Sequence, residues 1–323
     1  MKYKFVICGS TGYYEIGYHD IMDLTNVVYH KSDISGIESC FQQKLIRLNF
    51  SKKVNWWIKY PLAKHVYPIL YPHSFDANDP ICFLFFGNVE HIFQSTYLQY
   101  LRKTYANVKL VLFMQDLVHR NKRLDFEYCK QHFDLILSYD KGDCEKYDLL
   151  FHPTPMSKVK VERDLSLRES DVYFCGFAKS RYPIINDLYL KLTALGLKCD
   201  FHLMQYPENE QRIDGIYYNE PLFDYNKNIQ HVLNTRCVLE VMQEGADGYT
   251  PRVWESIVYK RHLLTNNTML HKSEFYNAAN MHNISDDNIL DWIYTSANYS
   301  AEEQERLSPI HLLEFIEDQL LKL

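Results

Sequence analysis

Residues 237–267 read CVLEVMQEGADGYTPRVWESIVYKRHLLTNN. Cys237 to Met242 is an apolar run of strand length, followed by a glycine-bearing stretch that ends at Thr250-Pro251. Proline suits the first helical position, where its missing N–H costs nothing, and a preceding threonine suits the cap. A helix from Pro251 to about Lys260 and a strand over 262–266 then complete a βαβ unit, which dictates parallel pairing. The first N–H groups of that helix have no intrahelical partner and sit at the positive end of its dipole, so the tip suits a phosphate. Arg252 stands in the first turn, where a cation opposes the dipole, and an anion nearby would offset that cost. Glu255, one turn on, has oxygens to receive two vicinal hydroxyls, as on a ribose. The structural alternative is that Arg252 points to solvent and Glu255 pairs with Lys260 or another surface cation.

Upstream lies a second unit of the same kind. Tyr173 to Phe177 reads as a strand and Ala178 to Arg181 as a loop. Pro183 opens a helix with Ile185, Leu188, Leu192 and Leu195 on one face, which Gly196 ends before a strand over 198–204. In the first half the expected strands are 3–8, 26–30, 81–87, 108–115, 134–139 and 149–152, with helices such as 91–105 and 126–132 between them. The charged segment 156–170 reads as an interdomain linker. Ser300 and Glu303 have capping-box spacing, and Ser308-Pro309 opens a last helix. The pattern is α/β, with two doubly wound domains over 1–160 and 161–300 and C-terminal helices over 301–323 that pack back on the first domain. Open parallel sheets bind ligands beyond the carboxyl ends of their strands, so the substrates are expected in a cleft between the domains.

Composition narrows the class. The 323 residues carry 35 Lys and Arg against 41 Asp and Glu, a net charge of -6 that disfavours a nucleic-acid partner. Apolar residues at 46% exclude a disordered chain. No apolar run approaches the roughly 20 residues a bilayer requires, and the mean hydropathy is -0.34. The N-terminal apolar run is too short for a signal-peptide core. The eight cysteines are scattered without a C-x-x-C pair and read as free thiols of a reducing compartment, so the expected location is cytoplasmic.

The stretch Phe174-Cys175-Gly176-Phe177-Ala178-Lys179-Ser180-Arg181, together with Glu244-Gly245-Ala246-Asp247-Gly248-Tyr249-Thr250-Pro251-Arg252-Val253-Trp254-Glu255, resembles the donor domain of GT-B-fold glycosyltransferases of bacterial lipopolysaccharide, O-antigen and capsule assembly. In that family the motifs run F-x-G…K-x-R and E-G-x-x-G-x-T-x-R-x-x-E. The resemblance implies two Rossmann-like domains facing a cleft. It implies that Glu255 binds the donor ribose as the second acid of a pair whose first position is Asp247 here, with Glu244 further back. Lys179, Arg181 and Arg252 would neutralise the departing diphosphate, while Gly245 and Gly248 let the backbone approach the donor, flanked by Tyr249 and Thr250. The implied activity is a metal-independent transfer of sugar from a UDP- or GDP-linked donor, with no other cofactor, to a surface glycan. A nucleotide-sugar 2-epimerase with the same donor cleft and a non-catalytic nucleotide-sugar-binding subunit are the other two readings.

No D-x-D triplet is present and no histidine pair stands at zinc spacing in a helix, so no metal site is expected. For the general base of an inverting reaction the candidates are Glu15 and His19 after the first strand, and Asp116 at the end of 108–115. Each is equally suited to a loop or capping role. Finally, Lys52-Lys53-Val54-Asn55-Trp56-Trp57-Ile58-Lys59-Tyr60, continuing to Tyr67, mixes cations with interfacial aromatics. It suits either peripheral contact with an anionic membrane bearing a lipid-linked glycan acceptor, or a helix with its tryptophans in the core.

Overall fold

The computed structural model describes residues 1–9, 13–220, 225–243 and 249–323. Contacts divide the chain into two units, Met1–Thr154 with Pro309–Leu323, and Pro155–Ser308. Each is built on one six-stranded sheet in which every pairing is parallel. This is the α/β architecture that the alternation of strand-length and helix-length segments predicts.

In the first unit the strands are β1 (Lys4–Cys8), β2 (Val27–His30), β3 (Pro80–Phe86), β4 (Asn107–Met114), β5 (Leu135–Ser138) and β6 (Leu150–Phe151), in the order β2-β1-β3-β4-β5-β6. All six fall where the β-branched and aromatic runs place them. Alternation along the strands splits the core in two. Val6, Phe83, Phe85, Leu110 and Leu112 pack on one face, and Phe5, Ile7, Leu84, Val111 and Phe113 on the other. A parallel sheet covered on both faces needs such continuous apolar strands. The second face is closed by Leu312, Leu313, Ile316 and Leu320 of helix Pro309–Leu320.

The second unit contains β7 (Ser170–Phe177), β8 (Cys199–Met204), β9 (Tyr217–Tyr218), β10 (Thr235–Glu240), β11 (His262–Thr265) and β12 (Met281–Asn283), in the order β12-β11-β10-β7-β8-β9. Helix Tyr182–Ala194 has its proline in the first turn and Gly196 beyond its end at φ +84. Helix Pro251–Val258 is capped by Thr250, which accepts from the Arg252 N–H at 3.3 Å. The Ser300–Glu303 capping box is formed in both directions.

Three expectations require correction. Segment 156–170 is not a linker: Met156 and Ser157 are buried, and the Met156 N–H donates to the Leu307 carbonyl at 2.7 Å, so the second unit begins at Pro155. Its few apolar residues decide its placement, while the surrounding charges stay solvated. Stretch 301–323 is divided, with Ala301–Glu305 in the second unit and Pro309–Leu323 in the first. The helix expected over 91–105 is two, Glu90–Phe93 and Tyr97–Thr104. Ser95 breaks it by bonding the Ile92 carbonyl at 2.5 Å and receiving the Tyr97 N–H at 3.1 Å, the local competition by which serine disfavours a helix interior. Helix Tyr225–Leu233 and the short strands β9 and β12 are not among the elements expected from sequence.

The first unit also buries an ionisable group. His152 lies beside the rings of Phe113 and Phe315, with Nδ1 2.7 Å from the Pro153 carbonyl. Burial lowers its pKa to about 4, with His311 acting in the same sense and the Pro153 contact opposing. Because the folded pKa lies below the unfolded one, the unfolded chain takes up a proton that the folded chain refuses. Stability is therefore lost as pH falls from about 6.5 toward 4, by about 2–3 kcal/mol from this group at pH 4.5. Urea unfolding at pH 7 and pH 4.5 should show a smaller acid loss for His152→Gln than for the natural chain; equal losses would remove the assignment.

Candidate functional site

In the second unit the chain starts at β7 and winds both ways, to β8 and β9 on one side and to β10, β11 and β12 on the other. The carboxyl ends of β7 and β10 are therefore the point where strand order reverses, the usual ligand crevice of such a sheet. A cavity of about 270 Å³ opens there, lined by Cys175, Gly176, Arg181, Glu240, Thr250 and Arg252 among others.

Arg181 reaches this position through a tight turn. Lys179 has φ +46, a left-handed conformation costly for a side-chain-bearing residue, and the turn Lys179–Arg181 leads straight into helix Tyr182–Ala194. The Arg181 guanidinium folds back to donate to the Phe177 carbonyl at 3.0 Å and to the Val241 carbonyl, joining the ends of β7 and β10. Gly176 gives it room, since a Cβ there would lie 3.3 Å from Arg181 Nη2. Lys179 is exposed and its ammonium lies 3.4 Å from Gln243 Oε1.

Arg252 approaches from the helix side and donates through Nη2 to the Cys175 carbonyl. The two guanidinium groups act on each other. Burial and then the charge of Arg252 pull the Arg181 pKa down to about 10, with Glu240 opposing. Burial acts against the Arg252 charge as well, but Glu255 together with Cys175, Tyr225 and Tyr173 more than compensates and holds its pKa above the usual arginine value. Arg252 is thus turned inward and Glu255 is fully buried, which disposes of a solvent-facing arginine and a surface Glu255–Lys260 pair.

Glu255 Oε1 accepts from the Tyr225 hydroxyl at 2.5 Å and from Asn228 Nδ2 at 2.9 Å. Its other oxygen, Oε2, is buried and has no hydrogen-bond partner among the described residues. A buried carboxylate oxygen without a donor costs roughly 1–3 kcal/mol, so this atom is held at a price that a ligand donor would remove.

Glu240 is the site residue that sequence reading missed, although its place at the end of the apolar run CVLE was a signal. Its Oε1 accepts from the Thr250 backbone N–H at 3.3 Å and from the Thr250 hydroxyl, and its Oε2 from Thr265 Oγ1 at 2.5 Å. Burial pushes its carboxyl above the usual range, although these bonds and Arg252 oppose. It fixes the cap of helix Pro251–Val258, and with it the direction of the helix tip. Tyr249 does not line the cavity. It is buried edge-on to Trp254 and Phe275, at centroid distances of 5.5 and 6.2 Å, and anchors the loop. Glu244, Gly245, Asp247 and Gly248 lie outside the described residues.

The three candidate bases are not brought together. Asp116 is exposed and lines a cavity of about 560 Å³ at the carboxyl ends of β3 and β4, with Asn88, Glu90 and Lys122. Neither Glu15 nor His19 lines it. Glu15 is ion-paired with Lys31, and His19 is exposed at the start of helix His19–Met22.

No protein-family model matches the chain, and no curated protein does. Solved structures do. An α-glucosyltransferase in complex with UDP-glucose and DNA containing an abasic site is similar over 97% of this chain and 89% of its own, at 12% identity and a TM-score of 0.51. A UDP-forming α,α-trehalose-phosphate synthase from Burkholderia vietnamiensis is similar over 95% of this chain and 92% of its own, at 10% identity and TM-score 0.50. Trehalose-6-phosphate synthase OtsA covers 94% and is itself covered over 93%, at 11% identity and TM-score 0.50. At such identities the likeness is one of fold, and the fold is that of the GT-B glycosyltransferases.

Proposed function

We propose that this protein is a glycosyltransferase that takes a UDP- or GDP-linked sugar into the cavity at the ends of β7 and β10. The observation that carries the proposal is the pair of mutually repelling guanidinium groups, Arg181 and Arg252, at that cavity beside a capped helix N-terminus. A diphosphate relieves their repulsion and lies at the positive end of the helix dipole. As the glycosidic bond breaks, negative charge grows on the leaving phosphate, and fixed cations already in place stabilise it without reorganisation. Lys179 is near enough in sequence and exposed enough to add a third charge. Glu255 does not line this cavity and is fully buried, so its Oε2 receives a ribose hydroxyl only after the side chains over it move. Asp116, the one candidate base that lines a cavity, takes the proton of the acceptor hydroxyl.

The proposed acceptor is a lipid-linked surface glycan, and a feature of the first unit supports it. From Ser39 to Phe75 the chain has no acidic residue but six Lys and Arg: Lys44, Arg47, Lys52, Lys53, Lys59 and Lys64. Helix Lys52–Trp57 buries nothing, and Trp56 and Trp57 are each 84% exposed. Phe41, Leu48, Ile58 and Leu62 are exposed beside them in the chain. This display is held in place. Asn49 donates to the Pro61 carbonyl at 2.6 Å, Asn55 to the Asn49 carbonyl at 2.6 Å, and the Tyr60 N–H to Asn55 Oδ1 at 2.5 Å, across a turn with Tyr60 and Leu62 at positive φ. Cations worth about 1 kcal/mol each near an anionic surface, joined to interfacial tryptophans, make a two-signal membrane contact.

Three experiments test these readings. In calorimetry with UDP and GDP, Arg181→Ala, Arg252→Ala and Glu255→Ala should each weaken binding at least tenfold, about 1.4 kcal/mol, and unchanged affinity would remove the residue's role. Release of free nucleotide diphosphate should then require an acceptor, tested with lipid-linked glycans and with DNA, the molecule bound to the α-glucosyltransferase neighbour. Conversion of the sugar without any acceptor, or no turnover with any, would overturn the transferase. Separately, the protein should co-sediment with phosphatidylglycerol-containing vesicles and not with pure phosphatidylcholine. Trp56→Ser/Trp57→Ser should lose at least tenfold in that binding with nucleotide affinity intact; equal sedimentation of variant and natural chain would refute the membrane contact.

A further inference from the structure

A second cluster of chemistry-bearing side chains lies away from the carboxyl ends of the strands, on the face of β8 turned toward helix Tyr225–Leu233. Asp200 and His202 are two apart on β8 and so share a face of the sheet. His231 comes down on them from the helix. His202 Nε2 is 2.8 Å from Asp200 Oδ1, and His231 Nδ1 is 2.7 Å from Asp200 Oδ2. One ligand atom from each residue can be chosen so that all lie within 4.8 Å of one another.

His202 turns both ring nitrogens to carboxylates, Nε2 to Asp200 and Nδ1 to Glu220 Oε2 at 3.3 Å, surroundings that favour positive charge. A neutral imidazole carries one N–H, so the second contact is satisfied either by a second proton on the ring or by a bound cation. If the Nδ1–H goes to Glu220, the carboxylate orients the ring and leaves Nε2 as the ligand atom, the outer-shell pattern of metal-bound histidine. Both rings are held by aromatic stacking, His231 on Tyr173 at 5.2 Å and His202 on Tyr217 at 4.6 Å. A cavity of about 560 Å³ adjoins the cluster and gives it access.

We propose that Asp200, His202 and His231 bind one divalent transition-metal ion of the zinc class. Two imidazole nitrogens and one carboxylate oxygen suit such an ion and not magnesium or calcium, which take oxygen sets. Tetrahedral ligands at zinc distances lie about 3.4 Å apart, so the Asp200 contacts of 2.8 and 2.7 Å open slightly as an ion enters between the three side chains. Any proton held between the ligand atoms leaves as the ion enters. The ion ties helix Tyr225–Leu233 to β8. The same helix, one turn before His231, carries Asn228, which donates to Glu255. The proposal stands independently of the nucleotide reading, and its test uses no nucleotide.

The full-length protein is stripped with a chelator, dialysed, and titrated with Zn²⁺, Co²⁺ and Mg²⁺ by calorimetry and thermal melting. One equivalent of Zn²⁺ should bind and raise Tm by at least about 5 °C at hundredfold excess over Kd, with no effect of Mg²⁺. Co²⁺ should give the intense visible bands of a four-coordinate site, and Zn²⁺ affinity should fall as pH is lowered. Asp200→Asn and His231→Gln should each weaken Zn²⁺ binding at least a hundredfold, and His271→Gln, an exposed histidine elsewhere, should not. Absence of stoichiometric binding and of Co²⁺ bands in the natural chain would overturn the proposal, whether or not the variants fold. So would affinity retained within threefold by both variants, or lost equally in His271→Gln.

Discussion

Two arginines near one another inside a protein repel, and each must be desolvated, so something in the fold has to force them together. In this chain the force comes from the adjacency of β7 and β10. Arg181 follows one strand and Arg252 follows the other by a loop and a cap, so parallel pairing of the two strands brings the side chains to the same edge. Each guanidinium is then satisfied by carbonyls at the strand ends, Arg181 by Phe177 and Val241 and Arg252 by Cys175. Carbonyls answer the hydrogen-bonding demand of a guanidinium but carry no net charge to neutralise it. The compensating charge comes from two buried carboxylates, Glu240 acting on Arg181 and Glu255 on Arg252.

The supporting residues follow from that constraint. Glu240 is buried to fix Thr250, and Thr250 aims the helix. Glu255 is buried to balance Arg252, and Tyr225 and Asn228 are placed to hold one of its oxygens. Each carboxylate is costly alone and acceptable within the network, the usual behaviour of buried polar groups. Helix Tyr225–Leu233 is therefore more than packing. One turn of it holds Glu255, and the next presents His231 to β8, so whatever fixes His231 also stiffens the support of Glu255.

The first unit answers to a different demand. Its sheet is apolar on both faces and its interior is made of stacked phenylalanine and tyrosine rings, while the segment between β2 and β3 turns large apolar side chains outward. Folding alone would bury Trp56 and Trp57, each of which could remove a large apolar area from water. An asparagine relay and two left-handed residues instead hold them at the surface, among cations that no acidic residue from Ser39 to Phe75 offsets.

Much of this was legible in the sequence, for reasons that can be named. The strands, the cap at Thr250, the proline at the helix start and the glycine at φ +84 are local: short-range sterics and hydrogen bonding determine them, and residues within a few positions carry the whole signal. The helix tip at Pro251 and Arg252 in its first turn were readable because they lie on one short stretch of chain. What tertiary structure alone decided are the encounters between distant segments. Arg181 meets Val241, Glu240 turns from an apolar strand's end into a cap support, and Tyr249 goes into the core. Helical histidine spacing does not reveal the Asp200-His202-His231 cluster, because two of its members alternate along a strand and the third comes from a helix distant in sequence. Linker and core were likewise told apart only by packing, since the charge of 156–170 says where its side chains go and nothing of its backbone. Local propensity specifies the elements; which side chains share a cavity depends on strand order, and strand order is set by burial summed over the whole sheet.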